Sequence, residues 1–461
     1  MQTRLKKNDQ VEILIEDIGS EGEGIGRHEG YTLFVKDTVM GDRALVQVMK
    51  TGKTYGYARL IKLTEASVFR VEPRCGVAAK CGGCQLMHVD YQKQLEYKEN
   101  KVRNCLSRIG GFTQIPMEPI SGMEEPYYYR NKSQYPVGRN KDGSLAIGFY
   151  AGRTHSIIDT RHCHIGARVN EEILAYLRPF IQDNQIEPYD EAEHRGLLRH
   201  ILIRVGYSSG EVMVCLVVNG TDIPNKEELV RGLRKIPGMK SICLNVNKEK
   251  TNVILGSRII PLWGEPYITD SIGDVKYQIS PLSFYQVNPV QTKKLYDIAL
   301  EYADLSGDEI VWDLYCGIGT ISLFLAQRAK QVYGVEIIPQ AILDAKKNAQ
   351  INGIQNAEFF VGAAEEVLPK KYAGEKIKAD VIVVDPPRKG CDQSLLETIL
   401  AMAPERVVYV SCDPATLARD LKVLCGRDYR LERVRVVDQF CHSIHVETVV
   451  LLSRQKPNNR I

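Results

Sequence analysis

The sequence predicts a multidomain α/β protein: a small N-terminal β-barrel, a β-rich middle, and a C-terminal, mainly parallel sheet with helices on both faces. Three observations predict it. Residues from about 8 to 63 alternate apolar and polar in short runs between Gly-rich turns. Further strand-like runs fill about 120 to 265. Beyond about 265, strand and helix patterns alternate, the order that gives parallel strands covered by crossover helices. The length of 461 residues suits two to four domains, since single domains run to roughly 100–200 residues. With 44% apolar and 25% charged residues, disorder is excluded as the main state. No uninterrupted apolar run approaches the roughly 18 residues of a membrane span. The opening Met1-Gln-Thr-Arg-Leu-Lys-Lys-Asn has no apolar signal core, so a cytoplasmic location is expected. The net charge of +3 makes no global polycation, and any nucleic-acid surface must come from local clustering.

The barrel is read from Val11-Glu-Ile-Leu-Ile, Tyr31-Thr-Leu-Phe-Val and Arg43-Ala-Leu-Val-Gln-Val, with Gly19-Ser-Glu-Gly-Glu-Gly-Ile-Gly26 as a turn region. Short strands with a turn every ten residues or so describe an OB-like barrel, a shape that serves either RNA binding or plain docking. From about 90 to 110 the period changes. Tyr91, Leu95, Val102, Leu106 and Ile109 fall at helical spacing, and Gly110-Gly111 supplies the stop. The resulting regions are 1–63, 64–265 and 266–461, with this helix expected to pack on the last of them.

Within the middle region, His200-Ile-Leu-Ile-Arg-Val and Glu211-Val-Met-Val-Cys-Leu-Val-Val read as strands. Residues 126–170 hold seven basic side chains (Arg130, Lys132, Arg139, Lys141, Arg153, Arg161, Arg168) against Asp142 and Asp159 alone. Tyr127, Tyr128, Tyr129, Tyr135, Phe149 and Tyr150 are interleaved with them. Cations that neutralise phosphates beside rings that stack on bases suit unpaired RNA; a solvated face with half-buried tyrosines is the alternative.

The chemistry-bearing motifs sit at strand ends. Glu309-Ile-Val-Trp-Asp-Leu-Tyr is a strand, and Asp313-Leu-Tyr-Cys-Gly317-Ile-Gly319-Thr leads from it into a helix. Glycines there let a ligand approach the backbone. Glu336 ends the next strand, Gln331-Val-Tyr-Gly-Val-Glu, where a carboxylate accepts hydrogen bonds from ribose hydroxyls. A dinucleotide site prefers a third glycine; Ser322 stands in its place, which disfavours NAD and favours S-adenosylmethionine (SAM). Asp385-Pro-Pro-Arg388 closes the strand Ala379-Asp-Val-Ile-Val-Val. Ser411-Cys412-Asp-Pro puts a thiol at the tip of Arg406-Val-Val-Tyr-Val-Ser, well placed as a nucleophile. Glu447, in Ile444-His-Val-Glu-Thr-Val, is a carboxylate in an apolar strand, and such a charge needs a partner or a job.

Twelve cysteines complete the pattern. Cys105, Cys215, Cys243 and Cys425 read as small buried hydrophobes. Cys75, Cys81 and Cys84 form a tight trio that suggests metal or cluster ligation in a reducing compartment. Four thiolates suit zinc or iron–sulfur alike, and His162 and His164 flank the more distant Cys163.

Taken together, Ser283-Phe-Tyr-Gln286, the Asp313–Gly319 loop, Asp385-Pro-Pro-Arg, Ser411-Cys412-Asp-Pro and His445-Val-Glu447 resemble the RNA uracil-5-methyltransferase family. The N-terminal barrel resembles a TRAM domain, and Cys75-x5-Cys81-x2-Cys84 with Cys163 resembles the branch that carries a [4Fe–4S] cluster and acts on 23S ribosomal RNA. The resemblance implies a class I, Rossmann-like SAM-dependent methyltransferase domain, with Cys412 as nucleophile and Glu447 as base. It implies Gln286, Tyr315, Glu336 and Asp385 at the cofactor, and Cys75, Cys81, Cys84 and Cys163 on the cluster, zinc being the alternative. Gln286 and Asp385 can equally face the uracil, and Arg388 can steady the enolate or the cofactor carboxylate. Ribosomal RNA is the implied partner, with no membrane and no obligate protein. Many members carry Asn where this chain has Thr320, and Asn or Asp where it has Ala363. The other readings are a tRNA uracil-5-methyltransferase, a catalytically silent RNA-binding factor, and an amino-group methyltransferase.

Overall fold

The structure is a computed structural model that describes residues 5–152, 154–375 and 377–455; Arg153 of the basic stretch and most of the polar tail lie outside the described residues. The chain divides into two compact units, one of Met1–Lys101, Tyr150–Ile158 and Phe440–His445, the other of Val102–Phe149, Asp159–Gln439 and Val446–Ile461.

The first unit holds the barrel. Strands β1 (Gln10–Ile18), β2 (Gly24–His28), β3 (Tyr31–Val35), β4 (Arg43–Thr51) and β5 (Tyr55–Glu65) close in the order β1-β2-β3-β5-β4. Alternation does the sorting: Ile13, Ile15, Leu33, Val35, Ala44, Val46 and Val48 point inward and are buried, while their neighbours face out. Below the barrel, Asp42 is fully buried and saturated with donors. It accepts from the N–H groups of Val39 and Ser67 at 2.6 and 2.9 Å and from Arg70 Nη2 at 2.5 Å. Helix α1 (Tyr91–Arg108) follows and begins in this unit. There Lys98 Nζ donates to the Phe440 carbonyl at 2.9 Å and Gln94 meets the His442 ring at 3.2 Å, so the segment Phe440–His445 is fastened to α1.

In the second unit, Val102 and Leu106 of α1 join a core with Trp312, Tyr409 and Val450. The middle of the chain forms a seven-stranded sheet, β12-β11-β10-β9-β6-β7-β8. Its strands are β6 (Lys132–Arg139), β7 (Leu145–Tyr150), β8 (Ile157–Asp159), β9 (Leu198–Val205), β10 (Val212–Val218), β11 (Met239–Val246) and β12 (Arg258–Gly264). Two helices interrupt it that strand patterning alone did not announce: α2 (Val169–Asp183) and α3 (Lys226–Leu233). The hairpin β13 (Ile268–Ile272) and β14 (Val275–Ile279) then leads to α4 (Pro289–Ala303).

The catalytic sheet alternates as expected: β15 (Ile310–Leu314), α5 (Thr320–Leu325), β16 (Gln331–Glu336), α6 (Pro339–Ile351), β17 (Ala357–Val361), α7 (Ala364–Glu375), β18 (Val381–Val384), α8 (Gln393–Met402), β19 (Arg406–Ser411), α9 (Pro414–Cys425), β20 (Tyr429–Val437) and β21 (Glu447–Arg454). The order is β17-β16-β15-β18-β19-β21-β20. The first five are parallel; β21 runs antiparallel to both β19 and β20. This is the class I methyltransferase arrangement of a Rossmann-like sheet. Strand order reverses between β15 and β18, so the ligand crevice opens beyond Leu314 and Val384. Among the described residues, no helix is long and apolar enough to cross a membrane.

Candidate active site

At the end of β15 the chain makes its turn through three residues of positive φ: Tyr315 at 71°, Gly317 at 55° and Gly319 at 81°. For an aromatic side chain that backbone is strained, and such strain is kept where a site needs it. The Tyr315 and Cys316 N–H groups both donate to the Val335 carbonyl, at 2.9 and 3.0 Å, which locks the turn onto β16. The two glycines have different reasons. A Cβ on Gly319 would come within 3.2 Å of Ala345 and Phe359, so that glycine lets the loop pack on α6 and β17. A Cβ on Gly317 would meet no atom within 4 Å; its backbone faces open space, where a ligand approaches.

Glu336 reaches this loop from the tip of β16. Its Oε2 accepts from Gly317 N at 3.2 Å and its Oε1 from Ile338 N at 2.9 Å. Each oxygen keeps a lone pair for a ribose hydroxyl. Beside it Ile337 and Ile338 are more than half exposed, an apolar surface of the kind a purine ring covers. An acidic strand tip, a bare glycine backbone and exposed isoleucines together fit the nucleoside half of SAM. Ser322, where a dinucleotide loop has its third glycine, donates to Asp313 Oδ2 at 2.5 Å. Asp313 is 1% exposed, and burial pushes its carboxyl up to about 7.

The other wall holds Gln286, in the loop after β14 and 8% exposed. Asn131 Nδ2 donates to its carbonyl at 3.0 Å, and Gln439 Nε2 approaches its Oε1 at 3.5 Å. Gln439 also donates to Thr292 Oγ1 at 2.9 Å, and its own carbonyl accepts from Asn288 Nδ2 at 3.2 Å. Asn288, Thr292 and Gln439 belong to the site's support, and sequence reasoning missed them; the polar run Gln286-Val-Asn288 was the available signal.

Cys412 and Glu447 meet through the sheet. Antiparallel β19 and β21 pair Ser411 with Thr448, so Cys412 and Glu447 are the next residues on the two chains. Asp385 leaves the neighbouring β18, its N–H donating to the Leu314 carbonyl at 3.3 Å. Burial first, then the nearby Glu447 and Asp385 carboxyls, push the Cys412 thiol up to about 11, against the pull of Arg388. Glu447, 4% exposed, is raised well above the usual carboxylate range by burial and by Asp385, again with Arg388 opposing. Burial holds Asp385 up to about 7. Three acids in one low-dielectric pocket do not ionise together, so the site stores protons and is poised to pass them on.

The structure therefore gathers Cys412, Glu447 and Asp385 around Arg388, sets Tyr315 and Glu336 on the glycine loop, and ties Gln286 to Gln439. Thr320 lends its carbonyl to the Tyr277 hydroxyl at 2.9 Å, and Ala363 follows Gly362 at the start of α7. The cysteine expectation has a different outcome. Cys75, Cys81 and Cys84 fall in the first unit and Cys163 in the second, all four half-buried. Among the described residues, no group of three or more His, Cys, Asp or Glu side chains is placed to hold a metal ion. Cys215 and Cys243 are buried as expected, whereas Cys105 and Cys425 keep a partly exposed edge.

Comparison with known proteins gives the family. Residues 267–455 match the tRNA (Uracil-5-)-methyltransferase family and residues 4–61 the TRAM domain. An uncharacterized RNA methyltransferase of Halalkalibacterium halodurans is 52% identical, covering 98% of each chain. Another from Clostridium tetani is 49% identical over 97% of each. Among solved structures, the Pyrococcus abyssi tRNA (uracil-54, C5)-methyltransferase in complex with S-adenosyl-L-homocysteine superposes with a TM-score of 0.77 at 30% identity, covering 96% of this chain and 99% of that one. The chain belongs to the TRAM-containing RNA uracil-5-methyltransferase family.

Proposed function

We propose that this SAM-dependent RNA methyltransferase methylates C5 of a uracil in 23S ribosomal RNA, in the cytoplasm, through a covalent bond between Cys412 and C6. The observation that carries the mechanism is the Cys412–Glu447 pair at the carboxyl edge of β19, flanked by Asp385 and Arg388. C5 of uracil is a poor nucleophile. Attack of the Cys412 sulfur on C6 forms a C–S bond and moves the ring's electrons onto the C4 oxygen and C5. Arg388 stabilises that negative charge. SAM supplies an electrophilic methyl group, which C5 takes. Glu447 then removes the C5 proton, the C5–C6 double bond re-forms, and the C–S bond breaks to release the thiolate. Gln286 and Asp385 orient the ring; Tyr315 and Glu336 hold the cofactor. A stacked base is out of reach, so the target lies in a loop or is flipped out.

The raised pKa values of Cys412 and Glu447 mark both as groups whose protons must be moved in the reaction. Burial raises both pKa values and the Arg388 charge opposes it, favouring the ionised forms that attack and proton abstraction need. For attack the thiol proton passes to a carboxylate of the same pocket, Asp385, whose pKa of about 7 suits it as the acceptor.

The choice of 23S RNA rests on the cysteine pattern. A tRNA-named relative that shares 96% of this chain's length removes the barrel as a discriminator, and it favours tRNA as the second reading. The cluster reading keeps Cys75, Cys81, Cys84 and Cys163 as thiolate ligands of a [4Fe–4S] group, with zinc as alternative; no catalytic step runs through it. Iron and acid-labile sulfide in anaerobically purified protein support it, and their absence overturns it.

Labelled methyl transfer to unmodified total RNA, followed by nucleoside analysis of each RNA class, tests the function. Label in 5-methyluridine of 23S RNA is expected. The same nucleoside in tRNA transfers the mechanism to the second substrate, and a different methylated base overturns the nucleophile. Absence of label leaves the RNA-binding factor.

A further inference from the structure

The loop after Asp385 is clamped from α9. Thr416 Oγ1 donates to the Arg388 carbonyl at 3.2 Å. Arg419 Nη2 donates to the carbonyls of Lys389 and Cys391, at 3.0 and 3.3 Å. Asp420 Oδ2 accepts from the Cys391 N–H at 2.8 Å and from the Tyr409 hydroxyl at 2.6 Å, while its Oδ1 accepts from Arg419 Nε at 2.8 Å. The clamp closes tightly: Gly390 sits at φ 77°, and a Cβ there would lie 2.5 Å from Arg419 Nη2 and 2.6 Å from Asp420 Oδ2. Helix α9 opens immediately after Cys412, where Asp413 accepts from Ala415 N and Thr416 N at 2.9 and 3.0 Å. One helix thus fixes the nucleophile's turn at its start and the arginine loop one turn later.

Arg388 is the cation that acts on both Cys412 and Glu447. Its backbone has no regular element of its own; β18 stops at Val384 and α8 starts at Gln393. A guanidinium on an untethered loop samples many positions, and charge stabilisation in a transition state depends on donors that are already in place. We propose that Arg419 and Asp420 are positioning residues for methyl transfer, holding the loop so that the Arg388 guanidinium stays at Cys412 and Glu447. The proposal rests on Cys412 being the nucleophile. The ionising groups that face the thiol are Glu447 of β21, Asp385 after β18 and Arg388; beyond them, Asp385 acts in turn on Asp313 of β15, and Asp385 and Glu447 on Tyr296 of α4.

Asp420 is fully buried, so its loss would disturb folding; Arg419 is the cleaner probe. Its side chain is 52% exposed and borders a cavity of about 350 Å³ lined also by Lys389, Gly390, Cys391 and Gln393, so truncation opens onto solvent. Arg419→Lys keeps the charge but cannot hold two carbonyls and a carboxylate at once. In the full chain without RNA, iodoacetamide alkylation of Cys412 is followed by peptide mass spectrometry from pH 7 to 10, beside thermal melting. Arg388→Ala is expected to slow alkylation about tenfold at a given pH, one unit of thiol acidity. Arg419→Ala and Arg419→Lys are each expected to slow it about threefold, about half a unit, with an unchanged melting temperature. Methyl transfer then falls in kcat with KM for RNA retained. A wild-type pH profile in Arg419→Ala, full rescue by Lys, or a loss that follows a lowered melting temperature overturns the proposal. If Cys412→Ala still makes 5-methyluridine, it is the nucleophile assignment that has failed instead.

Discussion

Asp42 in the barrel unit and the Asp385–Glu447 pair in the catalytic unit are all buried carboxyl groups, and the two places treat them in opposite ways. Burial alone would raise the pKa of Asp42, but Arg70 and the N–H groups of Ser67 and Val39 outweigh it, and the carboxyl ends below its usual range. Asp385 receives no such compensation and Glu447 only the opposing charge of Arg388, and both are driven up. A buried acid whose lone pairs are filled by donors is a fastening. A buried acid left beside a thiol and another acid is a reagent, and the fold bears its cost.

The comparison breaks most visibly at Glu447. Glu447→Gln keeps the shape but cannot take the C5 proton, so turnover is expected to fall about 10²- to 10⁴-fold. Covalent RNA–protein adduct should then accumulate as a retarded band on a denaturing gel. Wild-type turnover would reduce Glu447 to an ordinary buried acid. At Asp42 the expected effect is on stability alone. Asp42→Ala leaves Arg70 and two N–H groups without their acceptor and is expected to cost about 3 kcal/mol in chemical denaturation, with the kcat of the folded fraction unchanged.

The smallest effect sharpens the contrast most. Burial lifts Asp385 from its ordinary 3.8 to about 7 in the fold. Between those values the unfolded chain has lost a proton that the folded chain keeps, so stability falls as pH rises from about 4 to 7 and is level above. Asp385→Asn should therefore melt about 2–4 °C higher than wild type at pH 8, the equivalent of about 1 kcal/mol. That gain should shrink towards pH 4, and turnover should be lost throughout. A lower melting temperature at pH 8 would place Asp385 with Asp42.

Much of this was legible in the residues. Period-2 alternation located the barrel strands, and Gln331–Glu336 emerged as a strand with its acid at the tip. The residues proposed to carry the chemistry stood out because Gly, Pro, Cys and acidic side chains at strand ends are costly without a purpose. Helix α2 was not read, although Ile173, Leu174, Leu177, Phe180 and Ile181 stand at helical spacing; Pro179 inside the helix and the strand-like runs around it masked the period. The Gln286–Gln439–Thr292 bonds were invisible because partners about 150 residues apart carry no local signal. The clamp on the arginine loop was hidden likewise: Arg419-Asp420 reads as an ordinary charged pair on a helix until the fold brings Cys391 against it.

The placement of β21 bears on how the enzyme is made. It leaves the ribosome after every other strand of its sheet, yet it lies inside that sheet between β19 and β20. Until it inserts, β19 has no neighbour on that side and Cys412 has no Glu447 beside it. Under the proposed mechanism, a nascent chain long enough to present the thiol is still without the base that would release its product. By that mechanism only a sheet with β21 inserted lets go of an RNA it has seized, which ties turnover to the closing of the sheet.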